Sequence, residues 1–357
     1  MILEIAITIF CLLALVVIHE LGHFLMAKKF GIKVEEFGIG FPPRIWSRKF
    51  GETIFSINFL PLGAFVRLLG EEGEGEKDPR SFSQKPLYQR ALVILAGVIA
   101  FWIVAALILS FISAIWGFPV ALSDEEKASN PKIQVVYVLP DSSAQKANLE
   151  PLAVIEKISS DFEEIYPTKV KEVQEFIKKN AGNDLIFEVS QRNKEPKKIT
   201  IKPNEEGLIG VSLVRFDFEK PPWYLALLKG GELTIKLTGN ILKTLGDILG
   251  KLFKGEKVAN LDIRGPIGIG ELSVQTLALG PAYFLYFLAL ISIYLAIFNI
   301  LPIPAVDGGR LLFLGIEKLR GKPLNPRLEQ KINASFFVAL LIFLILATAN
   351  DILRILK

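Results

Sequence analysis

The sequence predicts a polytopic α-helical membrane protein with four transmembrane helices, a membrane-associated β-hairpin and an inserted α+β domain. Three observations carry this. Of 357 residues, 51% are hydrophobic, and the mean hydropathy is +0.42, too apolar for an ordinary water-soluble chain. Four stretches are long and apolar enough to cross a bilayer, which takes about 20 residues. One long polar interval separates the second stretch from the third. A net charge of +4 is mild for this length, so composition gives no support to nucleic-acid binding.

The first span is about Ile2–Met26. No Lys or Arg precedes it and no small-x-small cleavage site follows, so it reads as a retained helix and not a signal peptide. The second span lies within Ala91–Leu122 and the third within Leu272–Val306, both free of charged residues; the fourth is about Ile332–Asn350. Eleven Lys and Arg fall from Lys28 to Arg90, six from Arg310 to Lys331, and none before the first span. The positive-inside bias therefore places both short loops in the cytoplasm and the long interval outside it.

Four regions follow: 1–122, 123–219, 220–264 and 265–357. In the first loop, Thr53–Leu69 alternates like strands around Pro61-Leu62-Gly63, which predicts a hairpin dipping into the membrane against the protein. The acidic run Glu71–Glu76 reads as a solvated turn. Region 123–219 is polar and globular. It reads as strands Ile133–Leu139, Val154–Ile158, Leu185–Val189, Ile199–Ile201 and Leu208–Leu213, with helices Ser142–Asn148 and Thr168–Asn180. The second helix puts Val170, Val173, Phe176 and Ile177 on one face. After Pro221-Pro222, Trp223–Lys254 carries Lys229, Lys236 and Lys243 at seven-residue spacing. Those charges forbid spanning and predict a basic amphipathic helix, lying in the membrane interface or packed on the polar domain.

The chemistry starts at His19-Glu20-Leu21-Gly22-His23, at the end of the first span. Positions i and i+4 share a helical face, so His19 and His23 can offer two imidazoles to one metal ion, with Glu20 beside them as a general base. The protein has no other histidine, and its only cysteine, Cys11, sits within the first span. A catalytic zinc takes three protein ligands, so the third must be Asp or Glu. Asp307 stands at the end of a charge-free run, where a carboxylate near the bilayer calls for a counter-charge or a metal. Pro302, Pro304 and Gly308-Gly309 break the helix there and can turn the aspartate inward. Read alone, Asp307 would be a helix cap; the need for a third ligand favours it as a metal ligand. Asn299 either holds a substrate backbone or makes an interhelical hydrogen bond.

These motifs resemble the site-2 protease family of intramembrane zinc metalloproteases, peptidase family M50, in its bacterial regulated-intramembrane-proteolysis branch. The likeness rests on His19-Glu20-Leu21-Gly22-His23, Leu60-Pro61-Leu62-Gly63-Ala64-Phe65-Val66, Gly265-Pro266-Ile267-Gly268-Ile269 and the run from Asn299 to Gly309. The resemblance implies that His19, His23 and Asp307 bind Zn2+ and that Glu20 is the catalytic acid/base. It implies that Asn299, Gly63, Pro302 and Pro304 serve substrate, Gly63 within a hairpin that offers an edge strand. It implies that region 123–219 is one extracytoplasmic PDZ-like domain, acting as a size filter or docking site. The implied partners are membrane lipid, single-pass membrane proteins such as anti-sigma factors, remnant signal peptides, and an upstream site-1 protease, but no nucleic acid. The implied location is the inner (plasma) membrane, with the active site toward the cytoplasmic side. One departure is Ala147-Asn148-Leu149-Glu150-Pro151-Leu152-Ala153, where related domains carry Ala-Gly-Leu-x-x-Gly-Asp. A structural metal site in an adaptor would need no Glu20, and a zinc transporter would need a chain of ligands that two histidines do not make.

Overall fold

The computed structural model describes residues 2–71, 78–190, 196–256 and 264–355; most of the acidic run, Glu72–Glu76, lies outside the described residues. The chain divides into two compact units, Met1–Phe111 with Leu227–Lys357, and Ile112–Ala226.

The first unit opens with α1 (Ile2–Lys29). Gly31, at φ +65°, ends the helix, and the Ile32 N–H donates to the Ala27 carbonyl to close the last turn. Two long strands follow, β1 (Val34–Phe50) and β2 (Thr53–Leu68). The hairpin turn is Gly51-Glu52, where Gly51 adopts φ +61°. Pro61-Leu62-Gly63 is not that β1–β2 turn but does reverse the chain within β2: Ile54–Ile57 pair with Glu36–Ile39 in rising register and Ala64–Arg67 in falling register. The motif is a break within β2: pairing with β1 stops at Leu60 and resumes at Ala64, because proline donates no N–H to a ladder. The break lets β2 flank β1 twice, so that Glu36–Ile39 faces Ile54–Ile57 on one side and Ala64–Arg67 on the other. The later segment, Ala64–Leu68, pairs only with β1 among the described residues.

Next come α2 (Leu87–Ile115) and, after the second unit, α5 (Trp223–Phe253), α6 (Pro266–Leu279), α7 (Pro281–Ile300), α8 (Asp307–Arg320) and α9 (Pro326–Ile355). Among the described residues, four helices are long and apolar enough to cross a membrane: Leu3–Lys29, Leu87–Ile115, Pro281–Ile300 and Arg327–Arg354. They make this a multi-pass membrane protein, because helices satisfy every backbone hydrogen bond internally in lipid. The third span is shorter than the apolar run suggests. Gly280, at φ +118°, separates α6 from α7, and each of these helices begins on a proline that needs no N–H partner. The Gly-Pro-Ile-Gly motif opens α6. The Gly268 N–H donates to buried Asp351 Oδ2 of α9 at 2.7 Å, and a Cβ on Gly265 or Gly268 would lie 2.8 or 2.7 Å from that carboxylate. The glycines thus let a distant aspartate cap the helix.

The second unit holds a seven-stranded sheet. Its strands are β3 (Phe118–Leu122), β4 (Lys132–Val138), β5 (Val154–Ser159), β6 (Glu164–Ile165), β7 (Leu185–Ser190), β8 (Lys197–Ile201) and β9 (Val211–Glu219), with helices α3 (Ser143–Lys146) and α4 (Val170–Lys179). The order is β3-β9-β4-β5-β7-β8, with β6 on β5. Val173, Phe176 and Ile177 of α4 are buried in a core with Ile133, Ile155, Leu185 and Phe187. The sequence missed β3 and β6 and placed β9 too early, since Leu208–Gly210 is a loop with Gly210 at φ +78°.

Candidate metal centre

His19 and His23 lie one turn apart on α1 and are almost fully buried. His23 Nδ1 donates to the Val93 carbonyl of α2 at 2.9 Å, which fixes its tautomer and leaves a lone pair on Nε2. The His19 ring stacks on Phe101 of α2, with centroids 4.5 Å apart and planes at 18°.

Asp307 arrives from the other end of the chain. After Leu301 the prolines stop the helix, and Ala305 takes φ +77° with its N–H on Asn333 Oδ1 of α9. The start of α8 then packs on that same stretch. A Cβ on Gly308 would lie 1.9 Å from the Leu301 carbonyl oxygen, and one on Gly309 2.5 Å from that of Ile303. Only glycine permits that approach, and it turns Asp307, first residue of α8, toward α1.

The three donor atoms form a nearly equilateral triangle. His19 Nε2 and His23 Nε2 are 3.2 Å apart, and each is 3.3 Å from Asp307 Oδ2. Ligands held about 2.0–2.1 Å from one tetrahedral ion stand about 3.3–3.4 Å apart, so the residues fit a metal. Among the described residues, Asp307 Oδ2 is buried with no hydrogen-bond partner, the state of an oxygen kept for an ion. Two imidazoles and a carboxylate suit Zn2+, although ferrous iron also uses that set.

The triangle borders a cavity of about 250 Å3 that Glu20 and Asn299 also line, together with Phe65 and Val66 of the β2 edge segment. Asn299 Nδ2 donates to Leu295 of its own helix at 2.9 Å. Gly63, Pro302 and Pro304 are not among the residues lining that cavity. Gly63 lies in the β2 break at φ +150°, Pro302 is exposed, and Pro304 is buried beneath Gly309.

Residues 7–344 match peptidase family M50. A provisionally named zinc metalloprotease of Clostridium perfringens is 33% identical over 353 residues, covering 97% of this chain and 98% of the relative. The chain belongs to peptidase family M50, the site-2 protease family. Two further relatives are similar over 96% of both partners: the zinc metalloprotease RasP of Shouchella clausii, 30% identical, and the protease RseP of Yersinia pestis, 28% identical. Membership makes this M50 chain a zinc-dependent metalloprotease and decides between zinc and iron.

Sequence reasoning missed several parts of this M50 site. Arg310, three residues after Asp307, lines the cavity and pairs with Glu71, just beyond β2. Arg90 Nη1 of α2 lies 2.9 and 3.0 Å from the two carboxylate oxygens of Glu317 on α8. Arg310 could have been flagged by its place beside the Asp-Gly-Gly motif. Nothing local marks Glu71 or Phe101.

Proposed function

We propose that the chain is an intramembrane zinc endopeptidase in which His19, His23 and Asp307 hold the ion and Glu20 is the acid/base. The observation that carries this reading is the donor triangle, 3.2–3.3 Å on each edge, formed at the end of a spanning helix and sharing a cavity with Glu20. Bound zinc supplies Lewis acidity, polarising the scissile carbonyl and acidifying water. The Glu20 carboxylate takes a proton from the attacking water and returns it to the leaving amide nitrogen.

The substrate is an unwound transmembrane segment. Peptide bonds in a helix are hydrogen-bonded within it, so the cleaved stretch must be extended. Ala64–Leu68 supports a way to hold it. Its outer edge is unpaired by strand among the described residues, and Phe65, Val66 and Leu68 border the cavity. An extended peptide laid there gains backbone hydrogen bonds by strand addition. Asn299 adds a side-chain amide to the same cavity. Membrane-anchored anti-sigma factors and remnant signal peptides are the substrates that the family resemblance favours.

The second unit is a PDZ-like domain on the extracytoplasmic side, with the metal site toward the cytoplasm. Its sheet supports the PDZ-like reading: among the described residues β3 pairs only with Arg215–Glu219, so the start of β9 has an open edge beside a cavity of about 560 Å3 that Ile177 and Lys178 of α4 also line.

The test is Glu20→Gln in the full-length protein. Zinc should stay near one ion per chain while cleavage of a model transmembrane substrate falls by roughly 10²–10⁴. Undiminished cleavage would remove Glu20 from the chemistry.

A further inference from the structure

We infer that Gly97 of α2 is a positioning residue for the metal: the space where the two imidazole nitrogens converge exists because position 97 has no side chain. The inference rests on the metal reading of His19, His23 and Asp307. A Cβ at Gly97 would lie 2.2 Å from His23 Nε2, 2.5 Å from His23 Cε1 and 2.7 Å from His19 Cε1. Nε2 is the atom that meets Asp307 Oδ2. A methyl group would therefore crowd the donor atom at about the length of a zinc–nitrogen bond.

The imidazoles cannot swing aside cheaply. The Val93 carbonyl anchors His23 from one turn before Gly97, and the Phe101 ring backs His19 from one turn after it. Val93, Gly97 and Phe101 recur every four residues, so one stripe of α2 supplies an anchor, a gap and a wall.

A general packing role is the competing explanation, since small residues let membrane helices approach. The contacts separate the two. Close approach of α1 to α2 is met at Gly22, whose Cβ would strike the Ala96 carbonyl oxygen at 2.5 Å. The three atoms nearest a Cβ on Gly97 all belong to the two imidazoles. A glycine inside a helix is less stable than alanine, and the gap it leaves for the donors offsets that.

The experiment measures metal in purified full-length protein, without reference to activity. Zinc content is read at buffered free zinc that saturates the unaltered protein, and cobalt-substituted samples are read by visible absorption. Gly97→Ala should lower zinc occupancy at least tenfold and remove the tetrahedral cobalt bands. Gly270→Ala, with nothing within 4 Å of its Cβ, should change neither. Zinc affinity of Gly97→Ala within threefold of the unaltered protein would overturn the inference. Failure of the unaltered protein to bind zinc would instead overturn the metal reading beneath it. Where Gly97→Ala does not fold, the double variant His23→Ala/Gly97→Ala decides. Folding as well as His23→Ala alone places the clash at the imidazole, as inferred; if the double variant fails, Gly97→Ala is placed on His19→Ala/His23→Ala, where rescue keeps the clash at the imidazoles and continued failure assigns Gly97 to helix packing and overturns the inference.

Discussion

At the scale of single residues, the proposed metal site joins what was legible to what was not. His19 and His23 could be read from one rule, that positions four apart on a helix share a face. Asp307 could be read by elimination, because no other His and no suitable Cys exist. Gly97, Phe101 and the Glu71–Arg310 pair depend on contacts across many residues that no local pattern encodes. The same holds for Asp124 in the second unit. Its two carboxylate oxygens accept the Val170 and Lys171 N–H groups at the start of α4, at 2.8 and 2.9 Å. Desolvation pushes this carboxyl up, but those two bonds and the charge of Arg215 outweigh it, so its folded pKa is depressed. A depressed folded value contributes stability that is present above the unfolded carboxylate pKa, about 3.9. That stability is lost as pH falls through the folded value. Asp124→Asn should therefore destabilise the unit at neutral pH and flatten its acid limb below about pH 4. Denaturation of both forms across pH checks this; parallel curves would count against it.

At the scale of elements, the spans and the α4 face followed from periodicity, and the hairpin followed only in part. The strand Val34–Phe50 was missed because charged residues interrupt its pattern. Among them Glu36 is buried, with Arg44 Nη2 and Ser56 Oγ each donating to it at 2.6 Å. A buried carboxylate paired with an exposed arginine looks like a loop to any reading by hydropathy. The turn Ala147–Ala153 gives the reverse lesson. It lacks the glycines of related domains, yet Asn148 and Leu152 adopt φ +57° and +67°, so the turn keeps a left-handed path without them. Asn tolerates that region, but a leucine there costs about 1–2 kcal/mol. Leu152 is 50% exposed, so its removal forfeits about half of a leucine's burial, about 1 kcal/mol. Leu152→Gly should leave stability near its starting value, the relieved strain offsetting the lost burial and the glycine's own entropy cost. A lower melting temperature would show that this leucine packs in a way its exposure conceals.

At the scale of the whole molecule, the proposed zinc peptidase site lies between the first span and the helix after the third. Membrane orientation is tested through the sole cysteine. In a Cys11→Ser background, Asp161→Cys should react with an impermeant thiol reagent from the extracytoplasmic side and Lys322→Cys from the cytoplasm. The opposite labelling would invert the topology. The central claim is a single zinc ion held by two imidazoles and one carboxylate. Zinc-edge X-ray absorption on the purified full-length protein measures it most directly. One ion per chain is expected, with only nitrogen and oxygen neighbours at about 2.0–2.1 Å and the outer-shell pattern of two imidazoles. Asp307→Asn should lower the zinc content. A sulfur neighbour, a single imidazole, or full zinc retention in Asp307→Asn would contradict the account.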